Sequence, residues 1–180
     1  MKEEDKMEEQ PAADTKINRL IVALSDRSID IRHQAVKGLG NIGRPAVEPL
    51  IQDLAGALDN DHRWYAALAL SGVGAPAVNP LISAMRVHPE NEFRRYAAAA
   101  LGNIGIPAIE PVIDAMAGED RVLRGFLSLA LCRIGKPAVG PLTRRLDDAD
   151  EIIRSCATLT LWQMAETGLP AMLDKIQEEE

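Results

Sequence analysis

Along the chain, apolar residues come in short blocks at helical spacing, and one block recurs. Val47, Leu50, Ile51 and Leu54 stand at i, i+3, i+4 and i+7, which lays them along one side of a helix. The same stripe returns as Val78, Leu81, Ile82, Met85, then as Ile109, Val112, Ile113, Met116, and again as Val139, Leu142, Thr143, Leu146. Ahead of each stripe lies a second helical pattern built on an anchor leucine: Leu39, Leu70, Leu101 and Leu131. Four residues after each anchor comes a glycine (43, 74, 105, 135), where a helix wants a left-handed C′ cap. Two residues further on comes a proline (45, 76, 107, 137) that stops the first helix. Another proline (49, 80, 111, 141) falls in the first turn of the second helix, where its missing N–H costs nothing. Each copy thus predicts a hairpin: an A helix up to the glycine and a B helix after it.

The leading prolines are spaced by 31, 31 and 30 residues, so the chain is an internal repeat. The pattern continues into degenerate outer copies. Ile17, Leu20, Ile21 and Leu24 make a B stripe with no A helix before it. Leu169, Met172, Leu173 and Ile176 make another, after an A helix centred on Leu161 in which Met164-Ala165 replaces Ile-Gly and Thr167 replaces the proline. Degenerate ends suit a stacked array, whose outer repeats meet water. The expected fold is all-α: an N-terminal capping helix followed by about five hairpins at 29–58, 61–87, 90–117, 120–146 and 149–178. They form one continuous domain, 14–180, behind an acidic arm at 1–13 expected to be disordered.

One polar column crosses all five A helices. Seven residues before each anchor stand Arg32, Arg63, Arg94, Arg124 and Arg154, and acidic residues crowd the loops that precede them. The expected role is a structural ladder of arginine–carboxylate bonds tying each repeat to the next, since the planar guanidinium suits bidentate pairing.

The run x-Arg-x-x-Ala…Leu-Gly-x-Ile-Gly…Ala-Val-x-Pro-Leu-Ile resembles the short HEAT-like repeats first recognised in phycobilisome lyase subunits. The resemblance covers essentially all of 15–178. It implies a right-handed α–α superhelix, a HEAT-like solenoid with A helices on the convex side and B helices lining the concave side. Many proteins similar to it are cytoplasmic binding scaffolds, and a few are enzymes or enzyme subunits. Fold alone does not choose among these.

Composition narrows the choice. Of 180 residues, 26 are alanine and only 3% are aromatic, which favours helices and an aliphatic core. The net charge is −7, but residues 1–13 and the terminal Glu178-Glu179-Glu180 each carry −3, leaving the body at −1. That is not the footprint of a nucleic-acid binder, which needs clustered cations. No apolar run reaches the length of a membrane span, and residues 1–13 lack the apolar core of a secretory signal, so a cytoplasmic protein with no membrane partner is expected.

The chemistry-bearing residues do not assemble by spacing. Iron hydroxylases of similar build need repeated His-Glu pairs, whereas this chain has His33-Gln34, His62-Arg63 and His88-Pro89, so no metal is expected. Cys132 and Cys156 sit at different heights on neighbouring A helices and should not bridge. Tyr65, Tyr96 and Phe126 form a column suited to packing between repeats, with Trp64 beside it. No Ser-His-Asp set emerges, and no catalytic residue or cofactor is expected.

What varies from copy to copy is the outer side of the B helices. Glu48, Asn79, Glu110 and Gly140 form one column; Gln52, Ser83, Asp114 and Arg144 a second; Asp53, Ala84, Ala115 and Arg145 a third. These columns are the expected binding groove, acidic at Glu48, Asp53, Glu110 and Asp114, and basic at Arg144 and Arg145, with small side chains leaving room for a protein or peptide. The function expected is a non-enzymatic protein-interaction scaffold. Two alternatives are an accessory subunit of an enzyme, resembling the phycobilin lyases, and a structural homo-oligomer joined through the apolar Trp162, Met164 and Met172 of the end repeat.

Overall fold

The computed structural model describes residues 4–118 and 120–172, with side chains from Asp14 onward. Among these residues the chain is helical and contains no strand. Packing divides it after Ala77 into two compact units, Met1–Ala77 and Val78–Glu180.

The first unit holds α1 (Glu4–Ala23), α2 (Ile29–Ile42), α3 (Val47–Gly56) and α4 (Asn60–Val73). The backbone of residues 4–13 continues α1, where a disordered arm was expected. Its glutamates, methionine, glutamine and alanines are all good helix formers. Ile17 and Leu24 of the capping segment are buried with Leu39, Leu50, Leu54 and Leu70. The second unit holds α5 (Val78–Val87), α6 (Asn91–Ile104), α7 (Ile109–Ala115), α8 (Arg121–Ile134), α9 (Lys136–Arg144) and α10 (Glu151–Gln163). Its core is Leu81, Met85, Leu101, Ile113, Met116, Leu127, Leu131, Leu142 and Leu161. Every anchor leucine is fully enclosed, and the stripes from Val47, Val78 and Ile109 are buried throughout, whereas the fourth buries only Leu142 fully and Leu169 of the last is exposed.

The glycine after each A helix donates its N–H to the anchor carbonyl, as Gly43 does to Leu39. Its conformation is not the left-handed helical one, however. Gly43, Gly74, Gly105 and Gly135 have φ of 75, 78, 79 and 75° with ψ near −140°, a region essentially closed to residues with a Cβ. That turn lets the next three residues start a tight helical turn, with Ala46 N–H returning to Gly43 O. At the end of α10, Ala165 takes the glycine's place with φ 46°. Helix resumes at 169–172; the rest of the expected last B stripe, Leu173 and Ile176, lies outside the described residues.

Stacking of A helices depends on small residues. A Cβ on Gly40 of α2 would lie 3.2 Å from the backbone of Gly72 in α4. A Cβ on Gly102 of α6 would lie 2.6 Å from the Arg133 side chain of α8. Those helix pairs pack along far more of their length than α8 and α10 do. At the matching height between α8 and α10 stand Cys132 and Gln163 instead of glycines, with the cysteine thiol 3.9 Å from the amide oxygen.

Candidate functional site

The arginine column is structural, but in a way that differs from a simple carboxylate ladder. Arg63, Arg94, Arg124 and Arg154 each donate to the backbone carbonyl six residues upstream, on Ala57, His88, Gly118 and Asp148. Those carbonyls close the preceding B segment, where a helix leaves acceptors unpaired and favours a cation. Arg94 is the most engaged, only 3% exposed. Its Nε donates to Met85 O at 2.9 Å and His88 O at 3.0 Å, and its Nη2 to Asp120 Oδ2 at 2.6 Å. Arg32 pairs with Asp61 and lies 4.6 Å from the Tyr65 ring centroid. Only Arg32 and Arg94 therefore reach a carboxylate of the following repeat among the described residues. The loop acids also cap helices, since Asp59, Asp120 and Asp150 accept N–H bonds at the starts of α4, α8 and α10. The Leu123 N–H, followed by the Arg94 guanidinium, holds the Asp120 carboxyl below the usual carboxylate range.

On the B helices, seven of the nine expected binding residues are exposed, and Asp53 and Arg145 are half-buried. In the first unit, Glu48 and Gln52 are exposed on α3. Asp53 does not belong with them: its side chain is 19% exposed and accepts a 2.8 Å bond from His62 Nε2. Burial pushes its carboxyl upward, against the pull of His62. His62 also meets the Ser25 hydroxyl through Nδ1. Serine, imidazole and carboxylate thus stand in a chain that their sequence separation concealed. An imidazole protonated at Nε2 donates to Asp53 and accepts from Ser25, joining the turn after α1 to α3 and α4.

In the second unit, Asn79 and Ser83 on α5, Glu110 and Asp114 on α7, and Arg144 on α9 are exposed, with Arg145 half-buried. The acidic and basic parts meet each other. Glu110 accepts from Arg144 at 3.1 Å and from Arg145 at 3.0 Å, and Arg145 also reaches Asp114 at 2.8 Å and Asp148 at 3.0 Å. The Glu110 and Asp148 carboxylates raise the Arg145 pKa further. Between α5 and α7 lies a shallow groove of about 380 Å³ that includes Asn79, Ser83, Arg86 and Asp114, floored by Ile82 and Ala115.

Both cysteines are unbridged, and burial raises the pKa of each thiol. Tyr65 is buried, with the His33 ring 5.8 Å away. Among the described residues, no three His, Cys, Asp or Glu side chains gather as a metal site, and no single helix is long and apolar enough to cross a membrane.

No curated protein matches this chain. Similar solved structures include an engineered protein, 17% identical over 88% of this chain and 84% of that one, with a TM-score of 0.34. A designed armadillo repeat protein is 19% identical over 88% of this chain and 91% of that one, also with a TM-score of 0.34. The family model for HEAT repeats matches twice, over residues 17–102 and 78–162. Those spans take in the anchor leucines, the glycine–proline turns and the B stripes, and the chain belongs to the HEAT-repeat family.

Proposed function

We propose that the protein is a non-enzymatic, cytoplasmic scaffold that holds a partner protein or peptide against the B helices of its second unit. The observation that carries this reading is the groove between α5 and α7. Its rim residues Asn79, Ser83 and Asp114 occupy the columns that the repeat leaves free of packing or capping duty. Arg86 supplies a positive charge beside the Asp114 carboxylate, which is shared with Arg145, and Ile82 and Ala115 give an apolar floor, a combination suited to an extended or helical peptide. The charges of Glu110, Arg144 and Arg145 are mutually satisfied, so α9 steadies the groove's far wall more than it attracts a ligand. Within the HEAT repeats, the 30- to 31-residue period supports placement with the short phycobilisome-lyase type.

The test is affinity capture from lysate of the source organism with wild type, Ser83→Arg and Asp114→Arg as baits, read by mass spectrometry. Ser83→Arg fills the groove without breaking a described ion pair. A protein retained by the wild type and lost by both variants, with their helical content unchanged, supports the groove. Equal recovery by all three baits refutes it. A homo-oligomer is favoured by a separate observation: Trp162 is 65% and Leu159 60% exposed on α10. Light scattering over a range of concentrations tests it, and a constant monomer mass would sink it.

A further inference from the structure

We propose that the cleft between α8 and α10 is a second binding site, on the A-helix side of the second unit, for a small amphipathic carboxylate. The cleft has a volume of about 490 Å³, within the roughly 300–1,000 Å³ of small-molecule sites. Its origin is visible in the repeat. Gly40 with Gly72, and Gly102 beneath Arg133, let α2 meet α4 and α6 meet α8 closely. Cys132 and Gln163 stand at that height between α8 and α10, and hold these two helices apart. Six residues before the anchor leucine, the earlier A helices carry His33, Trp64 and Arg95. Here the same positions are Gly125 and Ser155, both lining the cleft, and a Cβ at Gly125 would meet nothing within 4 Å.

The walls carry two kinds of chemistry. One end presents Arg121 and Arg124. Arg124 spends one Nη on Gly118 O, and Arg121 has no ion pair with another described residue. Further in, Ser128 donates its one hydroxyl proton to Gln163 Oε1 at 2.8 Å and Thr160 donates its own to Cys156 O at 2.7 Å, so the two hydroxyl oxygens, 2.9 Å apart, share a contact without a proton between them. That network uses the acceptor of the Gln163 amide and leaves its NH₂ group as a donor beside the cleft. Free capacity in the site is therefore mainly donor and cationic, with Glu151 the one carboxylate in its lining. Ile152, Leu159 and Met116 supply the apolar surface. Nine residues before the anchor, the first three A helices carry Asp30, Asp61 and Glu92, whereas α8 and α10 carry Val122 and Ile152, both exposed. A guanidinium pair at one end of an apolar, donor-lined cleft matches an anionic head on an apolar body.

The experiment titrates the full chain with anilinonaphthalene sulfonate by fluorescence and then displaces the dye with decanoate or decanol. The expected result is one saturable site, with decanoate displacing the dye more effectively than decanol. Arg121→Gln should weaken decanoate about tenfold, the loss of one charge-assisted contact. Gly125→Leu should abolish dye binding while the melting temperature holds or rises, since leucine suits a helix interior. Ser83→Arg, in the α5–α7 groove, should leave the affinity unchanged, which separates this site from the partner groove. The proposal is overturned if Gly125→Leu binds normally, if decanol equals decanoate, or if no saturable binding occurs. It is also overturned if affinity falls with rising protein concentration alongside a dimer mass, which would give the cleft to a second copy.

Discussion

Arg94 offers the sharpest test of how the repeats are held together. Its guanidinium sits behind the chain between α5 and α6 and serves three acceptors at once: Met85 O, His88 O and Asp120 Oδ2. In Arg94→Ala the two carbonyls lose a shared charged donor, worth about 1.5–3 kcal/mol. The bond to Asp120 adds at most about 1 kcal/mol, because that carboxylate is 43% exposed and screened by water. Loss of the buried side-chain methylenes adds about 1.5 kcal/mol. The expected destabilisation is about 3–5 kcal/mol, a large share of the 5–15 kcal/mol that holds a typical domain. Arg94→Lys should not rescue it, since one ammonium cannot span acceptors on both sides of the helix start. Arg124→Ala removes a more exposed bond to a single carbonyl and should cost about 1 kcal/mol. The assay is urea unfolding of the full chain, followed by helical circular dichroism, with all three variants compared with wild type. A loss below about 1 kcal/mol for Arg94→Ala, or one equal to that of Arg124→Ala, would refute the capping argument.

Gly125 and Gly135 belong to one helix and its cap yet should respond oppositely to alanine. Gly125→Ala should stabilise by about 0.5–1 kcal/mol, whereas Gly135→Ala, at φ 75°, should destabilise by about 1–3 kcal/mol, both read from the urea midpoint. Leu101→Ala, at a fully enclosed anchor, should cost about 2–5 kcal/mol, and a change under about 1 kcal/mol would remove Leu101 from the core. The depressed Asp120 carboxyl contributes stability above about pH 4 that is lost as the pH falls through its folded value. Asp120→Asn should flatten that acid limb. The raised Asp53 carboxyl has the opposite sign: its contribution is present at low pH and fades as the pH rises through its folded value, so Asp53→Asn should remove a loss, not a gain.

Much of the fold was legible because it depends on local signals. The anchor leucines, B stripes and glycine–proline turns repeat with one period, and each acts within a few residues of itself. The glycine conformation was harder to read. A position needing φ above zero announces glycine, but the spacing does not distinguish the helical left-handed region from the extended one found at Gly43. The arginines were legible as a column, but not by partner: carboxylates and carbonyls both lie nearby, and only geometry shows that Arg63, Arg124 and Arg154 turn to the carbonyls six residues back. The binding columns were found from their irregularity, except Asp53, which lies one position round the helix toward α4 and is taken up by His62. The Ser25–His62–Asp53 chain joins residues 37 and 9 apart through three separate elements, and no period brings them together. The α8–α10 cleft was hidden for another reason. It arises where side chains are missing or exchanged, at Gly125 and Ser155, and such departures look like ordinary decay of an outer repeat.

The six-residue reach of the arginine cap has an evolutionary corollary. Donor and acceptor lie together in one short stretch, as Arg63 and Ala57 do. A duplication or deletion of one period, with its break anywhere outside that stretch, copies or removes the cap as a complete piece. The new junction then arrives with its helix end already satisfied and needs no matching change in the neighbouring repeat. An inserted or deleted period therefore leaves the caps intact, while the long-range pairs, Arg32 with Asp61 and Arg94 with Asp120, depend on which repeat comes next.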